Sequence, residues 1–263
     1  MDRATISTVS PFQRLNQTLA GIEPGLPPIN LSVGEPRHGV PGFVGPAIAS
    51  AIADFGRYPP IAGSEPFRRA VATWIERRYH LTTAIDPETM VIPLAGSREG
   101  LFSAIFAARE QYADKSRPVV LLPNPFYQAY GAAAEAIGAE IVTVGNGGDD
   151  WPSYAGLDRA ILSRTVACYV ASPSAPQGAV ATLKDWMELV ELARRHRFML
   201  FADECYSEIY RAAPPPGALE GATALGGVAN VVAFNSLSKR SNLAGLRVGF
   251  AAGERYRDFW QSG

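Results

Sequence analysis

The chain has 263 residues, of which 47% are hydrophobic and 19% charged, and its formal net charge is −1 at pH 7. This composition is typical of a soluble globular protein, and the length suits one large α/β domain or two smaller ones. The near-zero charge does not favour binding to nucleic acid or to an anionic membrane surface. No apolar stretch has the length of a membrane span or the form of a secretory signal. Because both cysteines lie inside apolar stretches, a reduced, cytoplasmic protein is expected.

The chain begins with a segment of weak periodicity, residues 1–44, which is rich in proline and glycine and is predicted to form an arm and loops. Two helices are predicted next, at 46–55 and 65–79, and the second has an apolar face. From there, strands and helices alternate. The predicted strands are 89–94, 118–122, 139–144, 165–171, 198–202, 230–235 and 247–252. The predicted helices between them are 97–112, 126–137, 154–163 and 182–197. Thr182 and Asp185 match a capping box at the start of the last helix.

This alternation predicts an α/β fold class with three layers, in which helices cover both faces of a mostly parallel central sheet. In such sheets ligands bind beyond the carboxyl ends of the strands, so the residues directly after each apolar run are the candidate site residues. The sequence contains neither G-x-G-x-x-G nor G-x-x-x-x-G-K-[ST], which counts against a standard dinucleotide site and against a P-loop.

Lysine is scarce, since only Lys115, Lys184 and Lys239 occur in the sequence. Lys239 follows the apolar run "VVAF" closely and is therefore placed at the carboxyl end of a strand. The nearby cations Arg240 and Arg247 favour an anionic ligand there. The alternative for this region is an ordinary basic surface loop. Lys115, in "ADKSRP", and Lys184, in the first turn of a helix, are predicted to be solvated surface charges.

Two further strand ends carry polar groups. The run "FMLFADECY" places Asp203 directly after a buried strand, with Tyr206 three residues later. A buried carboxylate is costly unless it is paired, so Asp203 is either a site residue or an ordinary cap or structural ion pair. In "LAGSREG", Gly96 and Ser97 begin a helix, whose free N–H groups can hold a phosphate, although many helices begin in this way. Together these ends suit a ligand with a phosphate, a protonated ring nitrogen and an aldehyde.

The chain resembles the fold-type I, class I/II aminotransferases, which use pyridoxal 5′-phosphate (PLP). The positions that match their S-x-[SK]-K-x-x-x-x-x-G-x-R-x-G signature are Ser236, Ser238, Lys239, Gly245, Arg247 and Gly249. The resemblance runs from about residue 10 to the end of the chain. It implies a large PLP-binding domain over 45–263, with 1–44 forming an N-terminal arm and part of a small domain. The C-terminal small domain of the family, which carries an arginine for the substrate's α-carboxylate, is expected to be missing.

The resemblance implies a role for each strand-end residue. Lys239 would hold PLP as a Schiff base and shuttle the substrate's Cα proton. Asp203 would pair with the pyridine nitrogen and keep it protonated, and Tyr206 would hydrogen-bond the 3-oxygen of the ring. The residues that would hold the phosphate are Ser97, Arg98, Ser236, Ser238 and Arg247.

Three more positions carry over from the family. Tyr127, in "NPFYQAY", would stack on the cofactor ring, with ordinary core packing as the alternative. Tyr58 would reach the phosphate of the neighbouring subunit, which implies a homodimer. Gly34, in "VGEPRHGVP", would lie near the substrate carboxylate. The expected partners are amino-acid and keto-acid substrates, and no metal, nucleic acid or membrane is expected.

One motif departs from the family pattern. Members usually have N-P-x-N-P-T-G before the long helix, whereas this chain has "SPSAPQG" over 172–178. Ala175 therefore occupies the position of the asparagine that hydrogen-bonds the 3-oxygen of the cofactor. An unpaired oxygen there would cost about 1–3 kcal/mol.

Within the family, phrases such as "GEPRHGVP", "SREGLF" and "ADECYSEIY" are most similar to bacterial N-succinyldiaminopimelate aminotransferases. This implies amino transfer between glutamate and a keto acid such as N-succinyl-2-amino-6-oxopimelate, on the route to diaminopimelate and lysine. Two alternatives remain open. One is a PLP-dependent C–S β-lyase of the same fold. The other, suggested by Ala175 and the missing segment, is a catalytically impaired PLP-fold protein that acts by binding or dimerisation.

Overall fold

The computed structural model describes residues 11–29, 34–145 and 151–254. The chain forms two compact units, Met1–Pro36 and Arg37–Gly263. The first contains helix α1 (Pro11–Leu19), where arm and loop structure was predicted. That prediction was wrong for these residues, because Phe12, Leu15 and Leu19 follow helical spacing within an otherwise weakly periodic segment. The wider assignment of residues 1–44 to an arm and part of a small domain stays a prediction.

The second unit contains the other helices and all strands of the described residues. The helices are α2 (Val44–Ser50), α3 (Glu65–Arg78), α4 (Ser97–Gln111), α5 (Gln128–Ala136), α6 (Arg159–Arg164), α7 (Leu183–His196), α8 (Ala218–Ala224) and α9 (Leu237–Arg240), with 3-10 turns at Ile52–Gly56 and Ala244–Leu246. The strands are β1 (Val91–Leu94), β2 (Val119–Pro123), β3 (Glu140–Val144), β4 (Thr165–Ala171), β5 (Met199–Asp203), β6 (Val231–Ser236) and β7 (Gly249–Gly253).

The seven strands form one sheet in the order β1-β7-β6-β5-β4-β2-β3. Strand β7 is antiparallel to both β1 and β6, and the other neighbouring pairs are parallel. Since β7 reverses direction between them, β1 and β6 point the same way. The carboxyl ends of the other six strands therefore open at the same edge of the sheet. The predicted strands and the α/β class with a mostly parallel sheet are confirmed.

Both faces of the sheet are covered by helices. Neighbouring residues along a strand point to opposite faces, so an apolar strand has two apolar faces to bury. On one face, Trp186 of α7 and Ile75 of α3 pack in the same core as Leu200 of β5. On the other face, Leu101 of α4 packs in a core with Phe201, the next residue of β5. Strands buried on both sides read as continuous apolar runs, which is why the sequence showed them clearly.

Side-chain caps decide where two of the helices begin. The predicted capping box of α7 is confirmed, because Asp185 N donates to Thr182 Oγ1 at 3.2 Å and Thr182 N donates to Asp185 Oδ2 at 2.8 Å. The periodicity predicted that helix α6 begins at residue 154, but it begins at residue 159. Asp158 is its cap, since Ala160 N donates to the Asp158 carboxylate at 2.8 Å.

Candidate active site

The strand ends bring the predicted site residues to one edge of the sheet. Leu94 of β1 pairs with Gly249 of β7, which in turn pairs with Ser236 of β6. Asp203 ends β5, the next strand in the sheet. The predicted site residues that lie at or within three residues of these strand ends are Ser97, Asp203, Tyr206, Ser236, Ser238, Lys239 and Arg247.

Asp203 is a partly buried carboxylate held from two sides. The Tyr130 hydroxyl donates to its Oδ2 at 2.6 Å, and the main-chain N–H of Cys205 donates to its Oδ1 at 3.2 Å. Burial, followed by the Asp203 carboxylate, raises the pKa of Tyr130 well above its usual range, so this hydroxyl stays protonated and donates. A carboxylate has about four lone-pair positions, and Asp203 can therefore accept a further N–H from a ligand.

Lys239 and Tyr206 come from neighbouring strand ends and lie near each other. Lys239 is in α9, directly after β6, and its Nζ lies 5.8 Å from the centre of the Tyr206 ring. Tyr206 is in the loop that follows β5. Burial, followed by the Asp203 carboxylate, raises the pKa of Tyr206, so its hydroxyl is a hydrogen-bond donor at neutral pH. An amine and a phenol are thus available at the same end of the sheet.

The other two lysines differ sharply from each other. Lys184 is exposed over 83% of its side chain and lies 3.6 Å from Glu188, so its prediction as a surface charge is confirmed. The same prediction for Lys115 was wrong, because this residue is only 8% exposed. Its Nζ donates to the main-chain carbonyls of Thr165, His196 and Arg197, at 2.6, 2.8 and 2.5 Å. It neutralises the carbonyl-rich end of α7 and is structural.

An anion cradle is built where α4 begins. Gly96 precedes the helix with φ of 100°, and a Cβ on it would lie 2.3 Å from Nη2 of Arg247. A Cβ on Gly249 would lie 2.8 Å from Asn235 O and 3.2 Å from Ser97 N. Glycine is favoured at position 96 by its positive φ, and a Cβ there would push the flexible end of Arg247 away from the helix start. At position 249 a Cβ would clash with main-chain atoms, which cannot move aside easily. Free N–H groups at a helix start and a guanidinium are what a phosphate binds.

Three side chains form a small hydrogen-bonded cluster under this cradle. The Cys205 thiol donates to Ser97 Oγ at 3.0 Å, and the Ser236 hydroxyl lies 3.9 Å from the same sulfur. Ser236 and Cys205 are both buried. The cluster joins the start of α4 to the ends of β5 and β6, so three elements share one set of contacts.

Arg98 and Tyr127 form a pair at the rim of the site. Arg98 Nε donates to the Tyr127 hydroxyl at 2.5 Å, and its Cζ lies 5.6 Å from the centre of the ring. Tyr127 also meets Tyr130 edge to face, with ring centres 5.6 Å apart. Its ring is 36% exposed, which leaves room for a planar ligand to stack, although stacking itself stays a prediction.

Ala175 lies in the loop between β4 and α7, and it lines a cavity of about 500 Å³ together with Tyr206. Val180, Ile209 and Arg211 also line this cavity. The methyl group of Ala175 cannot donate a hydrogen bond, so only the tyrosine hydroxyl of this pair is available to an oxygen on this side.

The remaining predicted site residues have different surroundings. Tyr58 is fully exposed in the segment between α2 and α3, which is compatible with a role toward another subunit. Ser238 is half-buried within α9. Gly34 belongs to the first compact unit, Met1–Pro36. The roles of these three residues stay predictions.

Sequence reasoning missed a buried carboxyl next to Asp203. Glu204 is 3% exposed, and it accepts hydrogen bonds from the Tyr79 hydroxyl at 2.6 Å and from Ala218 N at 2.7 Å. Burial raises the pKa of Glu204 to about 7, against the hydrogen bonds and Arg78, which lower it. The signal in the sequence was the pair of acids in "ADECY", but only one could be assigned to a ligand.

Two kinds of feature are absent from the described ranges. No group of three or more histidine, cysteine, aspartate or glutamate side chains there could hold a metal ion. Nor is any helix there sufficiently long and apolar for a membrane crossing.

The fold and the site together define an α/β protein with a lysine, a carboxylate and an anion cradle gathered at one edge of its sheet. Residues 27–257 match the model of the family "Aminotransferase class I and II", and the chain belongs to this family. It is 31% identical over 241 residues to LL-diaminopimelate aminotransferase 2 of Trichormus variabilis, and the match covers 89% of this chain and 59% of that protein.

The chain is also similar to solved structures of aminotransferases. A crystal structure of an aminotransferase from Neisseria meningitidis superposes with a TM-score of 0.86 at 34% identity, covering 97% of this chain and 65% of that one. A probable N-succinyldiaminopimelate aminotransferase from Thermus thermophilus superposes with a TM-score of 0.76 at 28% identity, covering 88% and 61%. The chain thus spans about 60% of the length of the relatives that it matches.

Proposed function

We propose that this chain is the PLP-binding part of an aminotransferase. The observation that carries the proposal is the meeting of Lys239, Asp203 and the Gly96–Ser97–Arg247 cradle at one sheet edge. Each of these groups suits a different part of one molecule. The amine can bind an aldehyde, the carboxylate can pair with a protonated ring nitrogen, and the cradle can hold a phosphate.

The residues present fit PLP. A Cβ at position 96 would displace the Arg247 guanidinium, which here lies 3.5 Å from the Glu99 carboxylate and already faces an anionic group at the helix start. Asp203 keeps acceptor capacity after its two hydrogen bonds. When bound, PLP supplies an electron sink for chemistry at the Cα of an amino acid.

The chain's own residues have separate tasks in this proposal. Asp203, oriented by Tyr130, holds the proton on the ring nitrogen. Tyr206 donates its hydroxyl proton toward the 3-oxygen. The amine of Lys239 moves the proton at the substrate's Cα. Their geometry supports this division, because Lys239 and Tyr206 are near each other and the Asp203 carboxylate interacts with Tyr206.

The substrate class is proposed from the relatives, whose names specify LL-diaminopimelate and N-succinyldiaminopimelate. Both molecules contain diaminopimelate, an amino acid with a carboxylate at each end of a long chain. We propose an amino donor or acceptor of this class, with glutamate and its keto acid as the other pair. The homodimer, with Tyr58 serving the neighbouring site, and the cytoplasmic location belong to the same proposal.

The test is the visible absorbance of the purified chain with PLP, followed by single-turnover reaction with glutamate and with LL-diaminopimelate. The wild-type spectrum should change on adding either donor. Lys239→Ala should slow this change at least about a hundredfold, as loss of a positioned acid–base group does, whereas Lys184→Ala should react as the wild type. Borohydride reduction and peptide mapping should place the label on Lys239. A colourless protein, or a label on another lysine, would contradict the proposal.

Ala175 favours a second candidate, a catalytically impaired PLP-binding protein. The cavity wall beside Tyr206 has a methyl group where relatives of this family commonly place an amide. Retained PLP binding without turnover of any amino donor would support this candidate, and robust turnover would reject it.

A further inference from the structure

A buried thiol lies beneath the proposed phosphate cradle. Cys205 is 8% exposed, and its Sγ lies 3.0 Å from Ser97 Oγ and 3.9 Å from Ser236 Oγ. Ser97 opens α4, and Ser236 ends β6. The thiol therefore connects two elements that build the cradle but are far apart in the sequence.

The hydrogen bonds of this cluster have a direction. Burial, followed by the nearby Asp203 carboxylate, raises the pKa of the Cys205 thiol well above its usual range, so the thiol keeps its proton and can donate. The Ser236 hydroxyl donates to the sulfur, and the thiol donates to Ser97 Oγ. Because Ser97 Oγ accepts a hydrogen bond from the thiol, the O–H of Ser97 can donate to another group. In a low-dielectric interior, each bond of such a chain strengthens the next.

We infer that Cys205 is a positioning residue of the cradle, whose thiol turns the Ser97 hydroxyl so that its O–H donates to a bound phosphate. The inference rests on the proposed function, because it requires a phosphate ligand. Without the thiol, the Ser97 hydroxyl is free to turn inward toward Ser236. The cradle then loses one oriented donor to a charged acceptor, which corresponds to about tenfold in affinity.

The test compares PLP with pyridoxal, which lacks the phosphate. The apo forms of the wild type, Cys205→Ala, Cys205→Val and Cys205→Ser are titrated with each ligand, and visible absorbance gives the dissociation constants. The alanine and valine variants should bind PLP about tenfold more weakly than the wild type, with pyridoxal binding unchanged. The serine variant should bind PLP within about twofold of the wild type, because its hydroxyl can donate as the thiol does.

Valine fills the space of the thiol without a donor, so it separates packing from hydrogen bonding if the alanine variant folds poorly. Equal PLP affinity of the valine variant and the wild type would overturn the inference. So would a parallel loss of PLP and pyridoxal in the valine variant, since that result indicates a general packing defect. A wild-type chain that binds neither ligand contradicts the proposed function, and the inference falls with it.

Discussion

The buried carboxyl of Glu204 gives a quantitative prediction about stability and pH. Burial raises its pKa to about 7 in the folded chain, against an ordinary value of 4.5. Below pH 4.5 the group is neutral in both the folded and the unfolded chain. Between these two values only the unfolded chain releases the proton, so the free energy of unfolding falls as the pH rises. At about 1.4 kcal/mol per pKa unit, the total loss by pH 8 is about 3 kcal/mol.

Glu204→Gln removes the titration and keeps the shape. The glutamine oxygen can accept from Ala218 N, and its amide can donate to the Tyr79 hydroxyl. Urea unfolding followed by tryptophan fluorescence at pH 5, 6, 7 and 8 gives the free energy of unfolding for both chains. The variant should gain about 2.5 kcal/mol relative to the wild type from pH 5 to pH 8, because the unfolded chain has already released part of the proton at pH 5.

Glu188→Gln is the matched control, because Glu188 is exposed over 61% of its side chain. Its difference from the wild type should stay within about 0.5 kcal/mol at every pH. A flat difference between wild type and Glu204→Gln across this range would show that the buried carboxyl does not titrate where its burial requires, and would refute the reasoning.

Lys115→Met should lower the free energy of unfolding in urea by about 3 kcal/mol or more, since three main-chain carbonyls lose their donor. Lys184→Met should lower it by less than about 0.5 kcal/mol. Equal effects of the two changes would contradict the structural role of the buried lysine. Gly96→Ala should weaken PLP binding at least about tenfold, because its Cβ would displace the cradle guanidinium, and Gly156→Ala, with open space around it, should not. Ala175→Asn should speed the half-reaction with glutamate about fivefold by adding one hydrogen-bond donor; an unchanged rate would mean that the amide is not needed there.

The strands were predictable from the sequence, but their order in the sheet was not. The strands other than β3, in which Glu140 and Thr143 are exposed, are apolar runs because both of their faces are covered. The order of the strands depends on the connections between them, which can skip neighbouring positions in the sheet. Strand β7, last in the sequence, lies between β1 and β6, and β2 lies between β3 and β4. No local pattern records these crossovers.

Part of the site was predictable because it adjoins the apolar runs that form the strands. Lys239 and Asp203 were found because each adjoins the end of an apolar run. Tyr130 was missed, because the hydrogen bond that makes it part of the site joins residues 73 positions apart. Lys115 was assigned wrongly, since its polar neighbours in sequence suggest a surface while its acceptors lie 50 or more residues away.

The sequence by itself determined which segments are strands, which lysine adjoins a strand end, and the signature of the aminotransferase family. These follow from properties of neighbouring residues, namely apolar runs, caps and fixed spacings. Only the tertiary structure decided that Gly96 lies against the guanidinium of Arg247, and that the thiol of Cys205 lies under Ser97. Such contacts are made by residues more than a hundred positions apart, and they exist only after the strands have been brought side by side.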